Sequence, residues 1–187
     1  MIVAKQVADL ITFLRLGIGV FLVYLGITQG QAALPLVVWL MLADWFGDFL
    51  DGNLARRSSR QYRSWIGDHD LQVDMSVATG LLLYFIAAHI LPAWWGWFYL
   101  ILWGALFLWL GIPSSLGMLY QTPIYGYILW LALTQLSPLG WWMVAYLAAI
   151  ILITWPKFPK QVVPGFLYGF REVRLTKTKK PNRNRWL

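Results

Sequence analysis

The sequence contains no cysteine. Disulfide bonds, cysteine-ligated zinc and cysteine nucleophiles are therefore excluded from its chemistry. Charge is also scarce, because only 12% of the residues are Asp, Glu, Lys or Arg, whereas soluble proteins have about a quarter. No charged residue occurs between Met75 and Pro156. A soluble core cannot enclose an apolar run of this length, but several membrane-spanning helices can.

The apolar segments predict an all-α integral membrane protein with six transmembrane helices. Prolines, glycines and short polar connections delimit six spans: 10–28, 33–54, 70–92, 94–113, 116–135 and 138–156. We expect a short juxtamembrane helix over 1–9, before the first span. The predicted organisation is a six-helix membrane domain, 1–156, followed by a basic cytoplasmic tail, 157–187.

The basic residues are distributed unevenly, and their positions predict the orientation. Lys5 precedes the first span, four arginines lie within 55–69, and nine of the 15 basic residues follow the last span. Positive charge beside membrane spans stays on the cytoplasmic side, and six spans place all three regions there. We therefore expect both termini and the 55–69 loop to be cytoplasmic, with the protein in a plasma (inner) membrane.

The net charge of +7 indicates a lipid surface rather than nucleic acid. Most of the positive charge lies in the tail, directly after a membrane span, where basic segments contact anionic lipid headgroups. We expect anionic membrane lipids as partners of the tail, and no nucleic acid.

Acidic residues are concentrated between 44 and 74, where six of the eight occur. Asp44, Asp48 and Asp51 are spaced four and three apart and share one helix face, as do Asp70 and Asp74. Each charged residue within a membrane segment costs roughly 2.5–3.5 kcal/mol on insertion scales. We expect a divalent cation to compensate for this cost, and carboxylate ligands without cysteine favour Mg²⁺ or Mn²⁺ over zinc. Solvated carboxylates paired with the loop arginines are the simpler alternative for any single aspartate.

One motif combines two aspartate pairs with a glycine, an alanine and an arginine at fixed spacing: Asp48, Asp51, Gly52, Ala55, Arg56, Asp70 and Asp74. This motif resembles the signature of the CDP-alcohol phosphatidyltransferases, six-span membrane enzymes of phospholipid synthesis. The segment LITFLRLGIG, with Arg15, also resembles the start of that family's first helix. The family pattern has a glycine four residues before the third aspartate, where this chain has Ile66 followed by Gly67.

The resemblance implies transfer of a phosphatidyl group from a CDP-linked lipid, such as CDP-diacylglycerol, to an alcohol acceptor, with release of CMP. It implies two Mg²⁺ or Mn²⁺ ions with Asp48, Asp51 and Asp70 as the principal ligands. Asp74 would be the general base that takes the acceptor's proton, and a shared ligand. The family's motif does not include Asp44, which we expect only to tune the site.

The resemblance also assigns the nucleotide-binding residues. Gly52 and Ala55 would let the cytidine approach closely, and the guanidinium of Arg56 is suited to the pyrophosphate. A homodimer is a further assembly that the resemblance allows. The acceptor is not indicated, because the loop arginines 57, 60 and 63 suit either a phosphorylated acceptor or lipid contacts.

Two alternatives remain open at this point. The displaced glycine allows a non-catalytic member of the family that binds a CDP-lipid. A divalent-cation transporter is less favoured, because it needs polar groups across the whole bilayer. Here the acids cluster at the cytoplasmic end, and the last three predicted spans contain none.

Overall fold

The computed structural model of the protein describes residues 4–57 and 70–155, with the side chains of 6–50 and 71–155 except at position 8. Within these ranges all of the regular secondary structure is helical. Six α-helices follow one another: α1 (Ala4–Thr28), α2 (Leu34–Arg57), α3 (Asp70–Ala87), α4 (Ala93–Leu110), α5 (Ser114–Gln135) and α6 (Ser137–Ile153). A short 3₁₀ helix, Gly30–Ala33, joins α1 to α2. The predicted all-α class is confirmed.

The chain has the helices of a membrane protein. Among the described residues, three segments are long and apolar enough to cross a bilayer: Asp9–Thr28, Gly30–Leu50 and Ala93–Leu110. Leu71–Ala87 and Ser137–Ile153 are apolar but shorter. Each of the six helices overlaps one predicted span: α1 begins six residues earlier than predicted, α3 ends five residues earlier, and the other ends agree to within three residues.

The first helix differs from the prediction of a separate juxtamembrane helix over 1–9. Helix α1 runs without a break from Ala4 through the first apolar segment to Thr28. The sequence between Ala4 and Leu16 has neither proline nor glycine, so nothing there ends a helix. Residues 4–9 of the expected short helix are therefore the first part of α1.

The helix ends are set by residues with special backbone conformations. Pro92 and Pro113 precede the first residues of α4 and α5, where the missing N–H of proline costs little. Gly111 (φ 77) ends α4, and His89 (φ 55) follows α3. These connections are short, so neighbouring helices run in opposite directions.

Helices α1 and α3 form the most extensive helix–helix contact of the bundle. Helix α2 packs on α1, and α5 packs on both α3 and α6. Fully buried Leu22, Val37, Val77 and Leu81 fill the interior between them. Helices α1 and α3 approach so closely that a Cβ atom on Gly80 would overlap the backbone oxygen of Gly19. Small residues allow such backbone contact between membrane helices.

Large apolar side chains cover much of the outer surface. Leu108 is 92% exposed and Ile101 is 70% exposed on α4. The tryptophans near the α3–α4 and α5–α6 connections are exposed as well: Trp94, Trp95, Trp97, Trp141 and Trp142. Exposed apolar surface of this extent requires an apolar surrounding, and tryptophans at helix ends are typical of a membrane interface.

Candidate functional site

Three helices bring one arginine and three aspartates together at the end of the bundle where α2 ends and α3 begins. Arg15, on α1, lies within the apolar segment Asp9–Thr28 and is only 3% exposed. Its Nε donates a hydrogen bond to Oδ1 of Asp44 at 2.9 Å, and its Nη1 donates to Oδ1 of Asp48 at 3.0 Å. Its Nη2 donates to Oδ1 of Asp74 on α3. Each carboxylate thus binds a different nitrogen of one guanidinium.

The local sequence of α2 explains how the arginine reaches this position. Asp44 and Asp48 are one helical turn apart and therefore share the face that packs on α1. Gly47 lies between them and has no side chain. A Cβ atom at this position would lie 3.3 Å from Cδ of Arg15 and 3.3 Å from Cγ2 of Ile11. The absence of a side chain at Gly47 lets the aliphatic part of Arg15 lie directly against α2.

The three carboxylates differ strongly in their access to the surroundings. Asp44 is fully buried, with 0% of its surface exposed. The side chain of Asp74 is 23% exposed and that of Asp48 is 50% exposed. The cluster therefore has a closed side, formed by Asp44, and an open side, formed by Asp48 and Asp74.

A cavity of about 510 Å³ lies beside Asp48, between α2, α5 and α6. Three aromatic rings form part of its lining: Trp45 meets Tyr125 edge-on at 5.8 Å and lies nearly parallel to Tyr146 at 6.4 Å. The hydroxyl of Tyr125 also reaches the backbone oxygen of Asp74 in a long contact of 3.4 Å. The buried hydroxyl of Tyr146 has no hydrogen-bond partner among the described residues. The cavity connects the aspartate cluster to the outside of the bundle.

The predicted site residues divide into two groups. Asp48 and Asp74 lie on different helices, and both bind the guanidinium of Arg15. The other predicted residues lie on the last turns of α2 or at the first position of α3, and their side chains are outside the described part: Asp51, Gly52, Ala55, Arg56 and Asp70. Ile66, Gly67 and the tail from 157 onward also lie outside the described residues.

The donor chemistry of Asp48 and Asp74 fits a hard cation. Asp48 and Asp74 offer carboxylate oxygens, the ligands that Mg²⁺ and Mn²⁺ prefer, and both already reach a single positive group. In the part of the chain that the structure describes, no group of three or more His, Asp or Glu side chains is arranged to hold a metal ion. The predicted ligand set also includes Asp51 and Asp70, whose side chains are not among those described.

The ion pair between Arg15 and Asp44 is not among the sequence predictions. Asp44 is expected only to tune the site, and Arg15 enters only through the resemblance of its segment to a family's first helix. A signal was present, however, because Arg15 is the one basic residue within a predicted span. An arginine inside a membrane segment needs a buried partner, and Asp44 is the acid farthest inside the second span.

Comparison of the chain with protein-family models, with curated proteins and with solved structures gave no match. The resemblance to the CDP-alcohol phosphatidyltransferases therefore continues to rest on the motif of Asp48 to Asp74 and on the helical layout.

Proposed function

We propose that the protein is a metal-dependent CDP-alcohol phosphatidyltransferase, which transfers a phosphatidyl group from CDP-diacylglycerol or a similar CDP-lipid to an alcohol and releases CMP. The main support for the proposal is that Asp48 and Asp74 both accept hydrogen bonds from the guanidinium of Arg15. These residues belong to the two halves of the motif, and a shared cation requires them to meet in space. Their position in an apolar bundle suits a lipid substrate.

In the proposed reaction the hydroxyl oxygen of the acceptor bonds to the phosphorus that carries the diacylglycerol. The P–O bond of the diphosphate then breaks, CMP leaves, and Asp74 takes the proton from the acceptor hydroxyl. Bound Mg²⁺ or Mn²⁺, held by Asp48, Asp51, Asp70 and Asp74, would supply charge neutralisation at the diphosphate. Gly52, Ala55 and Arg56 would bind the cytidine diphosphate.

Access to the site supports this proposal. Asp48 is half exposed and lines the cavity between α2, α5 and α6, whose walls are mainly apolar and aromatic. A reactant that is partly embedded in lipid can thus approach the carboxylates through the side of the bundle. The aromatic rings of Trp45, Tyr125 and Tyr146 provide contact surface together with hydroxyl groups.

We further propose that all six helices span the membrane, with both termini, the segment 58–69 and the aspartate cluster on the cytoplasmic side. The short helix connections and the exposed tryptophans at the α3–α4 and α5–α6 connections support this topology. The basic tail would contact anionic lipid, and a homodimer is compatible with the exposed apolar surface.

The topology can be measured by labelling single cysteines, since the natural chain has none. We expect Gln31→Cys, Ala93→Cys and Ser137→Cys to react with an impermeant maleimide on intact cells. Ser114→Cys and Asn182→Cys should react only after the membrane is permeabilised. Gln31, Ala93 and Ser137 are exposed in the structure. If Ala93→Cys or Ser137→Cys failed to react with the maleimide on intact cells, the result would contradict six spans.

Activity is tested by CMP release from CDP-diacylglycerol. We expect purified protein with Mg²⁺ or Mn²⁺ to release CMP when the correct alcohol is present, and to stop when EDTA removes the metal. Glycerol 3-phosphate, inositol, inositol phosphate, serine and phosphatidylglycerol form the acceptor screen, with a reaction lacking alcohol as control. CDP-lipid binding without turnover would indicate the non-catalytic alternative, and neither binding nor turnover would reject the family assignment.

A further inference from the structure

We infer that Arg15 and Asp44 form a positioning pair, in which Asp44 fixes and neutralises the Arg15 guanidinium and the guanidinium orients Asp48 and Asp74 for a divalent cation. The inference rests on the proposed function in one respect, since it takes Asp48 and Asp74 as metal ligands. Neither Arg15 nor Asp44 is assigned a metal contact or a part in the chemical step.

The arrangement of hydrogen bonds supports this division of roles. Nε of Arg15 binds Asp44, while the two terminal nitrogens bind Asp48 and Asp74. A guanidinium is planar and rigid, so fixing one nitrogen also fixes the directions of the other two. The guanidinium bonds to Oδ1 of each carboxylate, and a carboxylate has a second oxygen with which it can bind a metal. Arg15 can therefore orient both ligands without replacing the metal.

Burial distinguishes Asp44 from the other two aspartates. Asp44 is completely enclosed, whereas Asp48 and Asp74 are partly exposed on the open side of the cluster. A cation that enters from outside thus reaches Asp48 and Asp74 first and meets Asp44 only behind the guanidinium. This placement makes Asp44 an anchor for Arg15 rather than a metal ligand.

Charge explains why the arginine needs its own aspartate. A positive guanidinium beside two metal ligands repels an incoming divalent cation, and the repulsion is strong where water is excluded. The fully buried carboxylate of Asp44 at 2.9 Å cancels that charge. The pair is then neutral as a whole, and the negative charges of Asp48 and Asp74 remain available to attract a metal.

The packing around Arg15 also holds it in place. A Cβ atom on Gly47 would lie 3.3 Å from Cδ of Arg15, so the aliphatic part of Arg15 lies against the backbone of α2. Groups that hydrogen-bond to metal ligands hold those ligands in position. Loss of such a hydrogen-bonding group typically weakens metal binding about 10–100-fold. We expect an effect of this size from changes at Asp44, although Asp44 does not contact the metal.

The test measures binding of Mn²⁺ to the purified full chain by electron paramagnetic resonance, without substrate. We expect Asp44→Asn to weaken Mn²⁺ binding about 10–100-fold, and Asp48→Asn to weaken it at least as much. Glu172→Gln makes the same change of charge at the one acid of the tail and should bind Mn²⁺ like the natural protein. Arg15→Lys keeps the charge but cannot hold three carboxylates in fixed directions, so it should also weaken binding.

A second variant separates positioning from stability. Arg15→Gln alone leaves Asp44 buried without its cation and is expected to lower the melting temperature in EDTA strongly. The double variant Arg15→Gln with Asp44→Asn removes both charges, so its melting temperature should recover while Mn²⁺ binding stays weak. Natural Mn²⁺ affinity in Asp44→Asn or in the folded double variant would overturn the inference alone. An absence of Mn²⁺ binding by the natural protein would overturn the inference and the proposed function together.

Discussion

Replacement of Asp74 by asparagine is expected to lower CMP release from CDP-diacylglycerol by roughly 10²–10⁴-fold, the usual contribution of a general base. An asparagine amide cannot take a proton from the acceptor hydroxyl. Its side-chain oxygen can still accept a hydrogen bond from Arg15, so α1 and α3 should remain joined where Arg15 now binds Asp74. We therefore expect the variant to fold and to retain part of its CDP-lipid binding.

Ser76→Ala provides the matched control for Asp74→Asn. Ser76 lies on the same helix, is exposed, and its hydroxyl donates a hydrogen bond only to the backbone oxygen of Gln72 among the contacts the structure gives. This change should leave CMP release within a factor of about two, in keeping with the small effect of most surface substitutions. Turnover is measured as CMP formed per enzyme under saturating metal and acceptor. Full activity in Asp74→Asn would contradict the role of Asp74 as the base.

The helices themselves were predictable from the sequence because local features determine them. Apolar runs of suitable length give the helical segments, and residues such as Pro92, Pro113 and Gly111 interrupt the chain at their ends. The continuous α1, which differs from the prediction, also has a local reason, since no helix-breaking residue separates 4–9 from the following span. Secondary structure in this chain therefore follows from short stretches of sequence.

The aspartate cluster was predictable only in part, because its geometry depends on how distant helices pack. The spacing of Asp48 and Asp51 predicts a shared face on α2, and that of Asp70 and Asp74 predicts one on α3. Nothing in these spacings indicates that Arg15 of α1 lies between the two faces. The position of Arg15 follows from the close packing of α1 on α3 and from the absence of a side chain at Gly47 on α2. The cavity between α2, α5 and α6 likewise depends on packing.

The close packing of α1 on α3 leads to the second large expected effect, which is on stability. Gly80→Ala adds a Cβ atom that would overlap the backbone oxygen of Gly19, and neither backbone can move aside without separating the helices. Overpacking of a well-packed interior typically costs about 1–3 kcal/mol, and more where backbone is displaced. We expect a clear fall in the melting temperature of the detergent-purified protein, although alanine is the better helix former.

Gly104→Ala is the matched control, because a Cβ atom on this exposed glycine of α4 would meet no other atom within 4 Å. It should melt at or slightly above the temperature of the natural protein, since alanine favours a helix by up to about 1 kcal/mol over glycine. Gly80→Ala has a further consequence for the site. Pushing α1 away from α3 pulls Arg15 from Asp74, so Mn²⁺ binding should weaken together with stability. A Gly80→Ala protein that melts like Gly104→Ala and binds Mn²⁺ normally would show that the contact between Gly19 and Gly80 does not hold the site together.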